Sequence, residues 1–111
     1  MSIEKFDSVT GASLNKVDLP GVNAWDKDFG TVNSSGSPIT FGVFRLNSGE
    51  VLPYTYEFDE FKLVLEGEFT VSDELGVTET FKVGDVMQFK KGTKALFSTP
   101  STGLAYYVAQ R

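Results

Sequence analysis

The chain of 111 residues contains no histidine and no cysteine. The absence of cysteine excludes disulfide bonds, thiolate nucleophiles and zinc–sulfur sites. The absence of histidine removes the side chain that most often acts as an acid or base near neutral pH and that completes most serine and cysteine triads. Any acid–base catalysis must therefore use a carboxylate, a lysine or a tyrosine whose pKa is displaced by its surroundings.

Positive charge and long apolar runs are also scarce. The sequence has 10 Lys and Arg against 15 Asp and Glu, which gives a formal net charge of −5 at pH 7. Because nucleic-acid binding depends on neutralising phosphates with cationic side chains, we expect no nucleic-acid partner. No apolar run approaches the ~18 residues of a membrane span, and no basic segment followed by an apolar one opens the chain. We expect a cytoplasmic protein without membrane association.

Short segments rich in Val, Phe, Tyr and Thr dominate the sequence, with turns containing Gly, Pro or Asp between them. This pattern predicts an all-β sandwich or barrel, and the length is that of a single domain. Strands are predicted at Ser13–Asp18, Ile39–Leu46, Tyr54–Phe58, Glu60–Leu65, Glu68–Asp73, Thr78–Val83, Val86–Lys90, Lys94–Ser98 and Leu104–Gln110. At most one helical turn is expected, over residues 3–6 with Ser2 as its cap.

Residues 49–67 and 84–99 have the spacing of the two sequence motifs of a cupin barrel. The chain therefore resembles a cupin, and the resemblance implies one domain over residues 1–111 with the RmlC-like jelly-roll β-barrel fold. Residues 1–38 would supply an N-terminal strand and loops.

A typical cupin holds a metal through two histidines and a glutamate in the first motif and a third histidine in the second. In this chain the corresponding positions are Tyr54, Tyr56, Glu60 and Ala95. Three of the four ligands are replaced, so we expect the barrel to carry no metal and no other cofactor.

The second half of the chain resembles the EutQ-type cupins of ethanolamine utilisation. The likeness is carried by Pro53–Glu60, Val64–Glu68, Gly84–Met87, Lys91–Gly92, Thr99–Pro100 and Tyr106–Ala109. The resemblance implies a barrel with an open-ended pocket that is often dimeric, and acetate kinase activity has been attributed to that family. This chain differs at Lys62, where the resemblance leads us to expect an acidic residue.

Glu60 and Lys62 are the candidate catalytic residues. Strand alternation places them on one face, which looks into the barrel if the cupin register holds. A buried carboxylate and ammonium must pair with each other or bind a polar ligand. The pair is therefore either a structural ion pair at the barrel mouth or a site in which Glu60 is the base and Lys62 binds an anion or donates a proton.

The candidate ligand-binding residues are Tyr54, Tyr56, Arg45, Phe97 and Tyr106. The two tyrosines of the first motif share a face and can donate hydrogen bonds, but phenols are poor ligands for a divalent metal. A barrel of this size holds only side chains or one small ligand, so the aromatic residues either fill the interior or line a pocket. Arg45 either binds a carboxylate or phosphate in bidentate fashion or pairs with an acid on the outer face.

Three functions remain open. The first is a metal-independent cupin barrel that binds or acts on a small polar or anionic metabolite in its central pocket. The second is acetate-kinase-like phosphoryl transfer, with Mg²⁺ held by Asp59 and Glu60 and phosphate facing Arg45 and Lys62. The third is a non-catalytic dimeric interaction module. Whether the chain is an enzyme stays undecided at this point.

A homodimer is expected because one face of the predicted strand at residues 60–65 carries Phe61, Leu63 and Leu65. The N-terminal strand around Leu14 and Val17 can cover part of this face, and a second subunit would cover the rest. Trp25, flanked by charged residues, is expected to cap one end of the barrel or to lie at the dimer seam.

Overall fold

The protein is built almost entirely of β-strands. The computed structural model describes residues 2–111 and has strands β1 (Asn15–Lys16), β2 (Asn23–Val32), β3 (Ile39–Asn47), β4 (Leu52–Thr55), β5 (Glu60–Asp73), β6 (Thr78–Lys82), β7 (Val86–Phe89), β8 (Lys94–Ser98) and β9 (Thr102–Ala109). Within residues 2–111 the only helical element is a single 3₁₀ turn at Val9–Gly11. No helix in this part of the chain is long and apolar enough to cross a membrane.

The strands pair antiparallel in the order β1-β2-β3-β9-β5-β8-β4, and β6 and β7 also pair with β5. The long strand β5 belongs to both layers of the fold. Its first half pairs with β7 and β9, and its second half pairs with β6 and β8. The curled sheet encloses the core between these layers, and the predicted single-domain all-β barrel is confirmed.

Gly67 marks the point where β5 passes from one layer to the other. Its φ of 65° is in the left-handed region that favours glycine. A Cβ atom at this position would lie 1.9 Å from the Thr102 carbonyl oxygen of the neighbouring strand β9. The register of this pair also shifts between Val64 and Glu66, as expected where a bulge bends a strand. A side chain at Gly67 would therefore force the two strands apart.

The core follows from strand alternation, because every second residue of the central strands faces inward. Phe44 of β3 stacks on Phe69 of β5 at 5.7 Å between ring centroids and meets Phe97 of β8 edge-on at 5.7 Å. All three side chains are buried. Burying a side chain of this size stabilises the fold by about 1.5–3 kcal/mol. The contacts among these three rings therefore hold the two layers against each other.

The main difference from the sequence prediction is β2, where no strand is predicted. Trp25, expected as a cap or at a dimer seam, lies in this strand opposite Arg45 of β3. The strand has three consecutive charged residues at its centre, Asp26–Asp28, and its apolar residues do not alternate with polar ones, so its pattern lacks the signal of a half-buried strand. The predicted turn over residues 3–6 is absent, and the helical turn lies at Val9–Gly11 instead.

Candidate functional site

A cavity of about 410 Å³ opens into the barrel interior, with walls from both layers. Its lining consists of Asn15, Asp26, Lys27, Asp28, Phe44, Leu52, Tyr54, Tyr56, Glu60, Lys62, Phe97, Tyr107 and Arg111. A cavity of this size accommodates one small molecule, and the combination of aromatic walls with a few convergent polar groups is typical of ligand sites. The aromatic residues line the interior without filling it.

A buried ion pair between Glu60 and Lys62 forms the innermost polar part of the wall. The two residues are 4% and 7% exposed. The Lys62 ammonium donates hydrogen bonds to the Glu60 carboxylate and, at 3.1 Å, to the Tyr56 hydroxyl. An ammonium has three N–H donors, so one donor has no partner among residues 2–111. Burial lowers the pKa of Lys62, and the nearby Glu60 carboxylate opposes that shift.

Five aromatic rings surround the same ammonium, with their centroids 5.1–5.7 Å from Lys62 Nζ. They belong to Phe44, Tyr56, Phe89, Phe97 and Tyr107. Rings at this distance attract a cation and offset part of the cost of removing it from water. The site is therefore built around a cation that the chain itself supplies.

Tyr56 is the phenol next to this cation. Its ring is 1% exposed and stacks on Phe89 at 4.4 Å. Burial, together with the neighbouring Glu60 carboxylate, raises the pKa of Tyr56. The residue is a neutral phenol at physiological pH and can give or accept a hydrogen bond but cannot serve as a phenolate.

The rim of the cavity is held by a hydrogen-bonded network around Asp28. The Tyr107 hydroxyl donates to Asp28 Oδ1 at 2.6 Å, and the Arg111 guanidinium contacts both carboxylate oxygens at 2.6 and 3.0 Å. Hydrogen bonding to Arg111 is the main reason that the pKa of Asp28 is lowered. Gly42 leaves room for the network, since a Cβ there would lie 2.2 Å from the Tyr107 hydroxyl oxygen.

Asp26 is the second carboxylate that β2 brings to the rim. In residues 2–111 no lysine or arginine forms an ion pair with it. Partial burial and the nearby Asp28 carboxylate raise its pKa. With Glu60 paired to Lys62 and Asp28 paired to Arg111, Asp26 is the carboxylate of the cavity lining that remains available to a donor group of a ligand.

Five of the seven site residues predicted from the sequence line this cavity: Tyr54, Tyr56, Glu60, Lys62 and Phe97. Tyr54 lies at the mouth, where its side chain is 42% exposed and its ring meets that of Tyr56 edge-on at 4.7 Å. The inward face of β5 carries Glu60 and Lys62, as strand alternation together with the cupin register predicts.

Arg45 and Tyr106 do not line the cavity. Arg45 lies on the outer face of β3, where it forms an ion pair with Glu66 at 3.2 Å. Tyr106 lies on the outer face of β9 and stacks on Phe41 at 5.8 Å. The adjacent residue Tyr107 faces inward in its place, because side chains alternate along the strand.

The rim residues Asp26, Asp28 and Arg111 and the wall residues Phe44 and Tyr107 are not identified by the sequence interpretation. For the two aspartates a signal is present, since carboxylates two residues apart share a face if the segment is a strand. Because the sequence analysis predicts no strand at β2, the shared face of these two aspartates is not recognised. For Arg111 no sequence signal points to the cavity, because only the register between distant strands brings it there.

The residues at the cupin ligand positions do not fit a metal ion. Tyr54 and Ala95 lie opposite each other across β4 and β8, so the fold does bring these positions together. They nevertheless offer a phenol and a methyl group, and the Glu60 carboxylate is already neutralised by the Lys62 ammonium. Across residues 2–111 no group of three potential ligands among Asp and Glu is placed to hold a metal. These residues therefore do not form a metal site of the cupin type.

The curled antiparallel sheet, with both motifs facing one interior cavity, defines a cupin. A family model described as the EutQ-like cupin domain matches residues 34–102. The chain belongs to this family.

The similar proteins agree with this assignment. "Acetate kinase EutQ" of Escherichia coli is 46% identical over 105 residues, and that of Salmonella typhimurium is 39% identical over 105 residues. The alignments cover 95% of this chain, which spans 41% and 42% of those two relatives. A crystal structure of ethanolamine utilization protein Q from Salmonella typhimurium is 33% identical, with a TM-score of 0.75, and the match covers 87% of this chain and 77% of that one.

Proposed function

We propose that the protein is a metal-independent cupin barrel that binds or acts on a small polar or anionic metabolite in its central cavity. The observation that carries this proposal is the Glu60–Lys62 pair, which faces an open cavity and stays buried beside the Tyr56 hydroxyl. Burying two charges is costly, and a purely structural role is often served as well by apolar residues. A ligand that accepts a hydrogen bond from the third N–H group of Lys62 explains why the two charges are buried beside the cavity.

The distribution of charge indicates how such a ligand binds. An oxygen of a carboxylate, carbonyl or hydroxyl group would accept a hydrogen bond from Lys62. A hydroxyl or amine group of the same molecule would donate to Asp26 at the rim, and the aromatic walls would contact its carbon skeleton. The ligand is therefore small, with an acceptor at one end and a donor at the other.

Ligand binding is tested by a thermal-shift screen with small carboxylates, phosphates, amines and sugars. A ligand that binds only the folded state raises the melting temperature. We expect a shift for wild type that is lost in the Tyr56→Phe/Lys62→Met double variant. Arg45→Met is the matched control, because it removes a cation outside the cavity and should keep the full shift. A shift of equal size in wild type and the double variant would place the ligand elsewhere.

Metal independence predicts that purified protein carries far less than one equivalent of zinc, iron, manganese, nickel or copper. The reason is the donor set, in which imidazoles are replaced and the single motif carboxylate is paired with Lys62. Elemental analysis before and after treatment with a chelator is the measurement. One equivalent of a transition metal, removed by the chelator together with ligand binding, would contradict the proposal.

The geometry does not favour phosphoryl transfer, which is the activity in the name of the longer relatives. Asp59, expected to hold Mg²⁺ beside Glu60, instead accepts a hydrogen bond from the Lys91 amide at 2.8 Å and does not line the cavity. Arg45, expected to face phosphate, lies on the outer face. The groups that this mechanism needs are therefore not together in this chain.

We also propose that the protein acts as a cytoplasmic homodimer. Phe61 and Val86, on the outer faces of the paired strands β5 and β7, are 50% and 56% exposed. A second copy of the chain would cover this apolar surface. A non-catalytic interaction module would use the same surface to dimerise, but its cavity would then have no function.

A further inference from the structure

We propose that Lys62 binds its ligand covalently, by forming an imine between its ε-amine and the carbonyl carbon of a small aldehyde or ketone. The inference rests on the proposed function, because it assigns a chemical class to the ligand of the same cavity. It concerns the one lysine whose amine faces the interior. Every other lysine of the chain is exposed.

The position of Lys62 meets the requirements of an imine-forming lysine. The nucleophile is the neutral amine, so its proton needs an acceptor within reach. Glu60 is that acceptor, since its carboxylate receives a hydrogen bond from the Lys62 amine. Burial favours the neutral amine, and the hydroxyl of Tyr56 lies 3.1 Å from the same nitrogen. A base, a nucleophile and a neutral hydrogen-bond donor therefore meet at one point of the cavity wall.

The reaction is balanced without any further reagent. The Lys62 nitrogen transfers a proton to Glu60 and attacks the carbonyl carbon, and the carbonyl electrons move to oxygen. The nitrogen, which becomes positively charged on attack, passes a proton to this oxygen, which gives a neutral carbinolamine. Glu60 then returns the proton that it took from Lys62 to this hydroxyl group, which leaves as water while the nitrogen lone pair forms the C=N bond. The net change is amine plus carbonyl to imine plus water, with no oxidation or reduction.

The surroundings stabilise the product. The protonated imine carries its positive charge at the same nitrogen, within 5.1–5.7 Å of the five ring centroids. These rings attract the iminium as they attract the ammonium, and Glu60 remains its counter-charge. The aromatic surface also keeps water from the C=N bond, so hydrolysis is slowed while the carbon chain of the ligand lies in the cavity.

The experiment is reductive trapping on the full chain. Wild-type protein is incubated at pH 7 with sodium cyanoborohydride and either butanal or pyruvate, digested with trypsin, and mapped by mass spectrometry. Alkylation of Lys62 blocks cleavage after this residue, so a labelled peptide spanning residues 46–82 appears. We expect Lys62 to be labelled faster than the exposed Lys90 and Lys91, because burial favours its neutral amine and the Glu60 carboxylate is placed to accept its proton.

Three controls distinguish a reaction that needs the folded cavity from unspecific labelling of lysine amines. In urea, where the cavity is lost, Lys62 should be labelled no faster than Lys90. Lys62→Arg keeps the cation beside Glu60 but forms no imine, so the variant should lose the selective label. A Lys90→Arg/Lys91→Arg variant should retain the label at Lys62 in full.

The outcomes distinguish this inference from the proposed function. Equal labelling of all lysines, or no label at Lys62, overturns the imine. If the thermal shift with small carboxylates is nevertheless lost in Tyr56→Phe/Lys62→Met, the cavity binds its ligand without a covalent bond. If neither labelling nor a thermal shift occurs, both proposals fall.

Discussion

At the scale of single residues, Lys62 supplies the positive charge that a bound metal ion supplies in a metal-binding cupin. A metal-binding cupin gathers several neutral or anionic ligands around a cation, whereas here the cation is attached to strand β5 itself. The Lys62 ammonium is held by Glu60 and Tyr56 and enclosed by aromatic rings. This group is therefore attached to the chain and cannot be removed by a chelator, and its neutral amine is a nucleophile that a metal ion would not provide.

The buried pair gives a prediction on stability. Glu60→Gln leaves the Lys62 ammonium buried without a counter-charge, and breaking such a pair from one side costs about 3–5 kcal/mol. The double variant Glu60→Gln/Lys62→Met removes both charges and should recover most of that loss. Urea denaturation followed by fluorescence measures the free energy of unfolding.

The control is the pair between Arg45 and Glu66, whose side chains are 28% and 56% exposed. Glu66→Gln should cost about 1 kcal/mol or less, because solvent screens an exposed pair. Equal losses for Glu60→Gln and Glu66→Gln would show that the Glu60–Lys62 pair is solvated in solution.

At the scale of secondary-structure elements, β2 decides how much of the site can be predicted from the sequence. Alternation along β5 places Glu60 and Lys62 on one face, and the cupin register predicts that this face looks inward although the opposite face carries Phe61, Leu63 and Leu65. Asp26 and Asp28 escape prediction because β2 carries its charges on a strand without apolar alternation. Tyr107 escapes because only pairing between β3 and β9, distant in sequence, determines which of two adjacent tyrosines faces inward.

The two rim carboxylates of β2 give opposite predictions for the pH dependence of stability. The pKa of Asp28 is lowered below its ordinary value of 3.8, chiefly by hydrogen bonds from Arg111. Its stabilisation is complete above that value and is lost as the pH falls through the folded-state pKa. Asp28→Asn should therefore lower stability at pH 7 and flatten the decline below about pH 4.

Asp26 has a raised pKa, so the folded state binds its proton more tightly than the unfolded state does. Stability then falls as the pH rises from 3.8 to that higher pKa. Asp26→Asn should make the protein more stable at pH 7. Because Asp26 lies at the open rim, solvent limits the magnitude, and the sign is what urea denaturation across a pH series tests. A loss of stability at pH 7 in both variants would contradict the assigned shifts.

At the scale of the whole molecule, the exposed apolar surface on β5 and β7 predicts a dimer. Light scattering at tens of micromolar protein should give twice the mass of the chain. Phe61→Glu introduces a charge into that surface and should shift the mass toward the monomer. Leu75→Glu is the matched control, since Leu75 is 83% exposed in the turn between β5 and β6. A monomer mass for wild type would contradict the dimer.

The position of β9 has a consequence for how the chain folds during synthesis. This strand lies between β3 and β5 and pairs with both, yet it follows all the other strands in sequence. Until it emerges from the ribosome, two apolar strands have open edges, which invite pairing with other chains. Contacts between strands so distant in sequence form slowly. The nascent chain is therefore most prone to aggregation while β9 is still inside the ribosome, and we expect its yield in cells to depend on chaperones that cover exposed strand edges.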